Sequence, residues 1–407
     1  MSFAGLLAAV AIGLNLLALP FLVMLLLSSV AAIVSPRKTK TPATPASRFL
    51  IAIPAHDERS GVARTVRSCL ALDYPREMFQ VLVIADNCSD DTAEIAAAEG
   101  AEVLVRTHDV KKSKGYALEH LIEQLDQSGR LADLDALVVI DADSTASADL
   151  LRKFDAKILE GCDWIQCYDI VDNAGASWRT RLMTYAFSLI NGVGPWGRYR
   201  LGLSSPLHGN GMCFTVNGLK RVPWRAYGLA EDYEYSWVVR MAGERIAFVP
   251  DASVHATMLE GGGEAAANQR RRWEFGRKEI KGRLFGPMIR DRKLSLVERL
   301  TSAIEMKTPP MMTLLGLLVL LAILNVAAAS AFPHPLSHPA TWVLLGASVL
   351  MVLSVGIYAL SPFLVFNLPW SYLGTLAYVP IYAVWKLMVR LGGKPTQWVR
   401  TTRSVGR

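Results

Sequence analysis

Residues 136–143 read Ala136-Leu137-Val138-Val139-Ile140-Asp141-Ala142-Asp143. An unbroken apolar run rich in branched side chains marks a strand buried on both faces. Such a strand belongs to a parallel sheet clothed by helices. Open sheets of that kind bind ligands beyond the carboxyl ends of their strands. The two carboxylates that close the run therefore stand where an α/β fold places its chemistry.

The flanking sequence repeats the pattern. Strands are expected at 49–53, 79–85 and 102–106, and helices at 62–72, 91–99 and 116–125, with Asp90 as the cap of the helix that follows it. Alternating strands and helices predict a Rossmann-like α/β domain with a mostly parallel sheet. Two further strand ends are polar: Pro54-Ala55-His56-Asp57-Glu58 and Asp86-Asn87-Cys88-Ser89-Asp90. No internal repeat is visible.

Both ends of the chain are different. Residues 6–34 carry no charge, and that run exceeds the ~20 residues needed to cross a bilayer. It lacks the basic start of a cleaved signal peptide. Arg37, Lys38 and Lys40 follow at once, which puts them in the cytoplasm and the N-terminus outside. More apolar runs lie at 311–332, 342–360 and 371–389. Three full crossings there would leave the C-terminus outside, yet the tail holds Arg390, Lys394, Arg400, Arg403 and Arg407. One of the last segments is therefore expected to be re-entrant or interfacial, and the stretch 362–369, bounded by prolines, is the suspect.

These readings divide the 407 residues into a membrane helix (1–35), a cytoplasmic linker (36–48), a catalytic domain (49–284), an interfacial amphipathic segment (285–308), two or three membrane helices (309–390) and a basic tail (391–407). The net charge of +7 gathers between 269 and 307 and in the tail, as juxtamembrane charge does. No nucleic-acid recognition module is visible. The five cysteines all fall in the cytoplasmic domain and are read as reduced thiols.

Several clusters admit both a chemical and a plain structural reading. Asp141 and Asp143 can converge on Mg²⁺ or Mn²⁺, hard cations that favour oxygen ligands, or can be a solvated loop. Asp86 suits a nucleobase or ribose, or a turn. Lys114-Gly115 before a helix suits a phosphate, or is simply solvated. Glu231-Asp232 opens an expected helix through Met241, where acids favour the dipole or supply a general base. In Gln269-Arg270-Arg271-Arg272-Trp273, Arg272 could meet a diphosphate and Trp273 could stack beneath a sugar; otherwise it is a basic stripe at the membrane surface. His208-Gly209-Asn210-Gly211 is a turn, or a stretch whose glycines let a ligand approach the backbone closely.

The order of these motifs resembles family 2 glycosyltransferases, in the cellulose, chitin and hyaluronan synthase branch. Pro54 to Glu58, Asp86, Lys114-Gly115, Asp141-Ala142-Asp143, Glu231-Asp232 and Gln269 to Trp273 carry the likeness, which runs over residues 49–277. Asp57 stands where the family has Asn, and Asn87-Cys88 replaces a Gly-Ser-like turn.

The resemblance implies a GT-A fold between N- and C-terminal membrane helices, a UDP-sugar donor, a divalent metal and inverting displacement. Asp232 would be the base. Asp143, with Asp141, would hold the metal. Lys114 and Arg272 would stabilise the leaving diphosphate. Asp57, Glu58 and Asp86 would shape the nucleoside pocket, with Glu231, Gln269 and Trp273 toward the acceptor. The expected setting is a bacterial inner membrane, with the catalytic domain cytoplasmic. Three readings stay open: a processive synthase of a β-linked polysaccharide, alone, as an oligomer or with an export partner; a single-addition transferase acting on a ceramide or polyprenyl phosphate; and a non-enzymatic nucleotide-sugar sensor.

Overall fold

The computed structural model describes residues 2–391; Met1 and residues 392–407, with the tail cations Lys394, Arg400, Arg403 and Arg407, lie outside the described residues. A mixed eight-stranded sheet forms the centre of the catalytic domain. Its strands are β1 (Phe49–Ala55), β2 (Phe79–Asp86), β3 (Glu102–Arg106), β4 (Ala136–Val139), β5 (Ser144–Ala146), β6 (Trp164–Val171), β7 (Met212–Thr215) and β8 (Ile246–Ala256). The spatial order is β3-β2-β1-β4-β7-β6-β8-β5. The first four strands in that order run parallel, while β7 is antiparallel to both β4 and β6.

The helices are α1 (Phe3–Val34), α2 (Val62–Leu70), α3 (Thr92–Ala98), α4 (Lys114–Gln127), α5 (Leu150–Leu159), α6 (Trp178–Phe187), α7 (Gly194–Arg200), α8 (Val216–Arg221), α9 (Glu231–Met241), α10 (Glu264–Arg290), α11 (Leu296–Lys307), α12 (Met311–Ser330), α13 (Pro339–Val365) and α14 (Val379–Leu391). Alternation along β1 builds two cores. Phe49, Ile51 and Ile53 face the layer of α2 and α5, and Leu50 and Ala52 face α4 and α9. The helix-clothed, mostly parallel sheet expected from the alternating pattern is present, and it agrees with the GT-A fold that the resemblance implies.

The local readings need small corrections. The β1 strand runs two residues past the expected 53, carrying Pro54 and Ala55 in register with β2. Helix α3 is preceded by Asp91 rather than Asp90, although the Asp90 side chain still accepts from the Thr92 N–H at 3.0 Å. Helix α4 begins at Lys114 because the Ser113 hydroxyl accepts from the Tyr116 N–H. Helix α10 is continuous across residues 284 and 285, so the basic motif and the segment after it form one rod.

Among the described residues, four helices are long and apolar enough to cross a membrane. Of these, α1, α12 and α13 pack together. Ala4, Ala8 and Ala11 meet Ala328, Ala329 and Leu344, and Leu22 meets Leu314, Leu318 and Met351. Small residues let such helices approach closely, and paired amides supply polar contacts in a dry setting. Asn15 and Asn325 exchange hydrogen bonds of 2.8 and 3.2 Å across the α1–α12 contact.

The last segment behaves differently. It is broken into a 3₁₀ turn, Trp370–Tyr378, and α14. It lies against the catalytic domain: Tyr378 stacks on Trp178 at 5.1 Å, Arg179 sits over Trp385, and Trp385 Nε1 donates to the Gly262 carbonyl at 2.8 Å. Arg390 pairs with Glu274 at 2.6 Å. The stretch 362–369 is not the irregular piece by itself, because α13 continues helically through Pro362 to Val365.

The membrane helices also touch the domain directly. A Cβ on Gly197 of α7 would fall 1.8 Å from the Ser28 carbonyl oxygen of α1. The two helices therefore meet backbone to backbone.

Candidate active site

A cleft of about 620 Å³ opens over the ends of β1, β2 and β4. Glu58, Asp86, Lys114, Asp141, Asp143, Glu231, Asp232, Gln269, Arg272 and Trp273 all line it. Residues separated by more than 200 positions are thus brought to one place. Asp57 is not among the lining residues. Its backbone is left-handed, with φ of 53°, and its carboxylate accepts the N–H groups of Ser89 at 2.6 Å and Asp90 at 3.2 Å. These bonds, with the Ser89 hydroxyl, hold the Asp57 carboxyl below its usual range against the opposing effect of burial. In the structure Asp57 therefore braces the turn after β2, and Glu58 is its neighbour that reaches the cleft.

Asp86 is buried and already paired. The buried Arg106 guanidinium donates to its carboxylate, and Asn87 Nδ2 donates to it at 2.9 Å. Its backbone carbonyl meets His56 Nδ1 at 2.7 Å. Arg106 carries no motif and was not singled out from the sequence.

Lys114 projects from the first turn of α4. Its ammonium donates to Asp141 and to the carbonyl of Gly209. Burial opposes that charge, but Asp141, Glu231 and Asp232 outweigh burial and hold the lysine above its ordinary range. Gly115 explains the Lys-Gly pair: the start of α4 packs against the backbone at Ala226 and Tyr227, and Trp224 Nε1 donates to the Gly115 carbonyl at 3.0 Å.

The strand-end acids sit in a hydrogen-bonded frame. The Ser144 hydroxyl donates to Asp143 at 2.9 Å. Asn210 accepts the Asp141 N–H at 3.1 Å and donates to Ser144 and to Asp169 at 3.0 and 3.2 Å. Asp169, on β6, lines the same cleft, and Asn191 donates to it from the π-helical segment Ser188–Val193. Burial, then the charges of Asp141 and Asp143, push the Asp169 carboxyl well above its usual range. Neither Asp169 nor Asn191 belongs to a short motif, so the sequence offered no signal for them.

These acids fit a hard divalent cation. Asp143 and Asp141 offer oxygen donors only, and the crowding of negative charge felt at Asp169 is what such a cation relieves. A tighter grouping exists elsewhere among the described residues: Asp57, Cys88 and Asp90 hold ligand atoms within 4.8 Å. That group has a thiol in place of a third oxygen, and its Asp57 carboxylate is already filled by Ser89 and Asp90.

Glu231 and Asp232 open α9. Burial, then the charge of Asp232, push Glu231 up to about 7. Burial also raises Asp232, against the pull of Arg277. A carboxylate in that condition is a better proton acceptor than a solvated one. Trp273 packs on one side against Val171, Met183, Ala256 and Met258, with Phe187 at 6.3 Å. It also lines a second cavity of about 750 Å³ that runs toward α1 and α12.

Residues 45–276 match the family described as Glycosyltransferase like family 2. Over 256 residues the chain is 28% identical to poly-beta-1,6-N-acetyl-D-glucosamine synthase of Staphylococcus epidermidis, a match covering 61% of this chain and 58% of that protein. The match thus spans less than two thirds of that relative's length. The structure is similar to that of mannosyltransferase PcManGT from Pyrobaculum calidifontis, solved with GDP-Man and Mn²⁺, with a TM-score of 0.54, 17% identity and coverage of 95% of this chain and 100% of that one. At that identity the likeness speaks for the fold.

Proposed function

The chain belongs to glycosyltransferase family 2, in its synthase-like branch, and from that premise we propose that it is an inverting transferase moving a sugar from a UDP-sugar to a hydroxyl group and building a β-linked glycan at the membrane face. The observation that carries this reading is the convergence of Asp143, Lys114, Arg272, Trp273 and Asp232 on one cleft.

Asp143 and Asp141 would hold Mg²⁺ or Mn²⁺, which when bound neutralises the diphosphate of the donor. Lys114 and Arg272 add positive charge to the same cleft, where fixed charges would stabilise a leaving group without reorganisation. Glu58 and Asp86 border the nucleoside end. Asp232 takes the proton of the acceptor hydroxyl, and its raised basicity suits that role. Glu231 and Gln269 line the same cleft, and Trp273 would offer a ring face to the acceptor sugar.

The orientation we infer rests on charge and packing. If α1, α12 and α13 cross the bilayer and residues 370–391 lie along the catalytic domain, the basic linker falls on the cytoplasmic side, as the positive-inside rule favours.

The deciding experiment supplies the purified protein in vesicles with radiolabelled UDP-glucose or UDP-N-acetylglucosamine. UDP release coupled to sugar transfer supports the reading. Tight donor binding without transfer to any acceptor would instead support a sensor.

A further inference from the structure

The second cavity is amphipathic. One wall is apolar and comes from the membrane helices: Phe21, Met24 and Leu25 of α1, and Met311 and Leu314 of α12. The opposite wall is basic and comes from α7 and α10. Part of that charge is already matched. Arg198 pairs with the buried Glu305 at 2.9 Å, and Arg270 and Arg390 pair with Glu274.

Arg277 and Lys281 stand one turn apart on α10, and among the described residues neither makes an ion pair: the charge of Arg277 acts on Asp232 and that of Lys281 on Glu305, a single carboxylate that Arg198 and Arg240 already share. Arg277 lies over the Tyr233 ring at 5.8 Å, and Lys281 donates to the Thr308 carbonyl at 3.2 Å. Like charges at that spacing repel, so the cavity favours an anion between them. The cavity also joins the catalytic cleft: Ile190, His208, Arg270, Trp273 and Arg277 line both. His208 Nε2 is shut off from solvent at that seam with no hydrogen-bond partner.

We propose that this cavity holds the acceptor, and that the acceptor is a phospholipid whose headgroup carries a free hydroxyl. The inference rests on the transferase reading above. Acyl chains lie against α1 and α12, the phosphodiester meets Arg277 and Lys281, and the headgroup passes His208 and Trp273 to Asp232. The base decides between kinds of anionic lipid: a terminal phosphate is already deprotonated and has no need of Asp232, whereas a hydroxyl does. In the transfer the headgroup O–H breaks and its proton goes to Asp232. The oxygen bonds to the anomeric carbon as that carbon's bond to the diphosphate oxygen breaks, and UDP leaves with the bonding pair. The glycan then grows on a lipid anchor.

The test uses full-length protein in phosphatidylcholine vesicles, with or without phosphatidylglycerol, and radiolabelled UDP-sugar. UDP release and label in the organic phase are read separately. Label should enter the lipid fraction only with phosphatidylglycerol. Phosphatidic acid, with a phosphate but no alcohol hydroxyl, should inhibit without becoming labelled, and inorganic phosphate should not replace it. Lys281→Gln should raise the half-saturating phosphatidylglycerol content about tenfold, the scale of one charged hydrogen bond, and Lys281→Arg should restore it. Equal lipid labelling without phosphatidylglycerol, or an unchanged response in Lys281→Gln, would overturn the proposal. UDP release with all label in water-soluble polymer would overturn it while leaving the transferase reading intact. Absence of UDP release with every acceptor would remove the transferase reading itself.

Discussion

A Cβ on Gly115 would stand 2.0 Å from the carbonyl oxygen of Ala226. The contact seats the first turn of α4, and with it Lys114, against the loop leading to Glu231. Gly115→Ala should push that turn away. Overpacking of this kind costs about 1–3 kcal/mol. The expected result is a lowered Tm together with a donor KM raised about tenfold. A lowered Tm with an unchanged KM would show that Lys114 does not depend on this contact.

Asp232→Asn should separate binding from chemistry. The substitution keeps the shape and removes the proton acceptor. Transfer should fall by about 10²–10⁴-fold, the range for loss of a general base, while calorimetry shows UDP affinity nearly unchanged. A collapse of UDP affinity would mean that Asp232 holds the donor.

Asp143→Ala should abolish metal stimulation along with activity. Mn²⁺ titration followed by electron paramagnetic resonance gives a readout independent of turnover, and binding should weaken at least about tenfold. Metal-stimulated turnover that survived the change would move the metal elsewhere, with the Asp57, Cys88 and Asp90 group the next place to look.

Glu231 predicts a pH dependence of stability. Its carboxyl rises from 4.5 to about 7 on folding, through burial and the charge of Asp232. Across that window the native state keeps a proton that the unfolded chain has lost. Stability therefore falls as pH rises through the window, and the full cost is present above it. Metal-free Glu231→Gln should be more stable than the parent by on the order of a few kcal/mol at about pH 8, with the gain fading toward pH 4.5. A Tm difference equal at both pH values would contradict this assignment.

The packing of α14 predicts sidedness. A reporter fused after residue 391 should read as cytoplasmic, on the same side as the linker at 36–48. Trp385→Ala should loosen α14 from Gly262 and make the 261–263 loop more open to protease. An external reporter signal would mean that residues 370–391 cross the bilayer.

The parts of this site legible in the sequence carry their chemistry within a few residues: Asp141, Asp143, Lys114 and Asp232 lie at a strand end or a helix start, and Trp273 lies inside α10 in the compact run Gln269 to Trp273. The frame around them was not legible. Asp169 and Asn191 come from β6 and a π-helical segment, whose local sequence says nothing about which strand end they face. Arg106 meets Asp86 only because β3 lies beside β2. Asp57 shows the converse: its motif position points to the cleft, while a left-handed backbone turns its carboxylate into the neighbouring loop. In the last apolar run, composition met the length requirement for crossing, while the 3₁₀ break and the aromatic contacts to Trp178 and Gly262 depend on tertiary packing.

The contact between Gly197 and Ser28 has a practical reach. A catalytic domain hung from its anchor by a flexible stalk could be cut free and studied in solution. Here a domain helix shares a bare backbone seam with a membrane helix, and removing α1 would expose it together with the apolar wall of the second cavity. Helix α1 is thus part of the domain's own packing and not a detachable anchor. Detergents or membranes that shift its tilt should therefore register as changes in catalysis before they register as loss of fold.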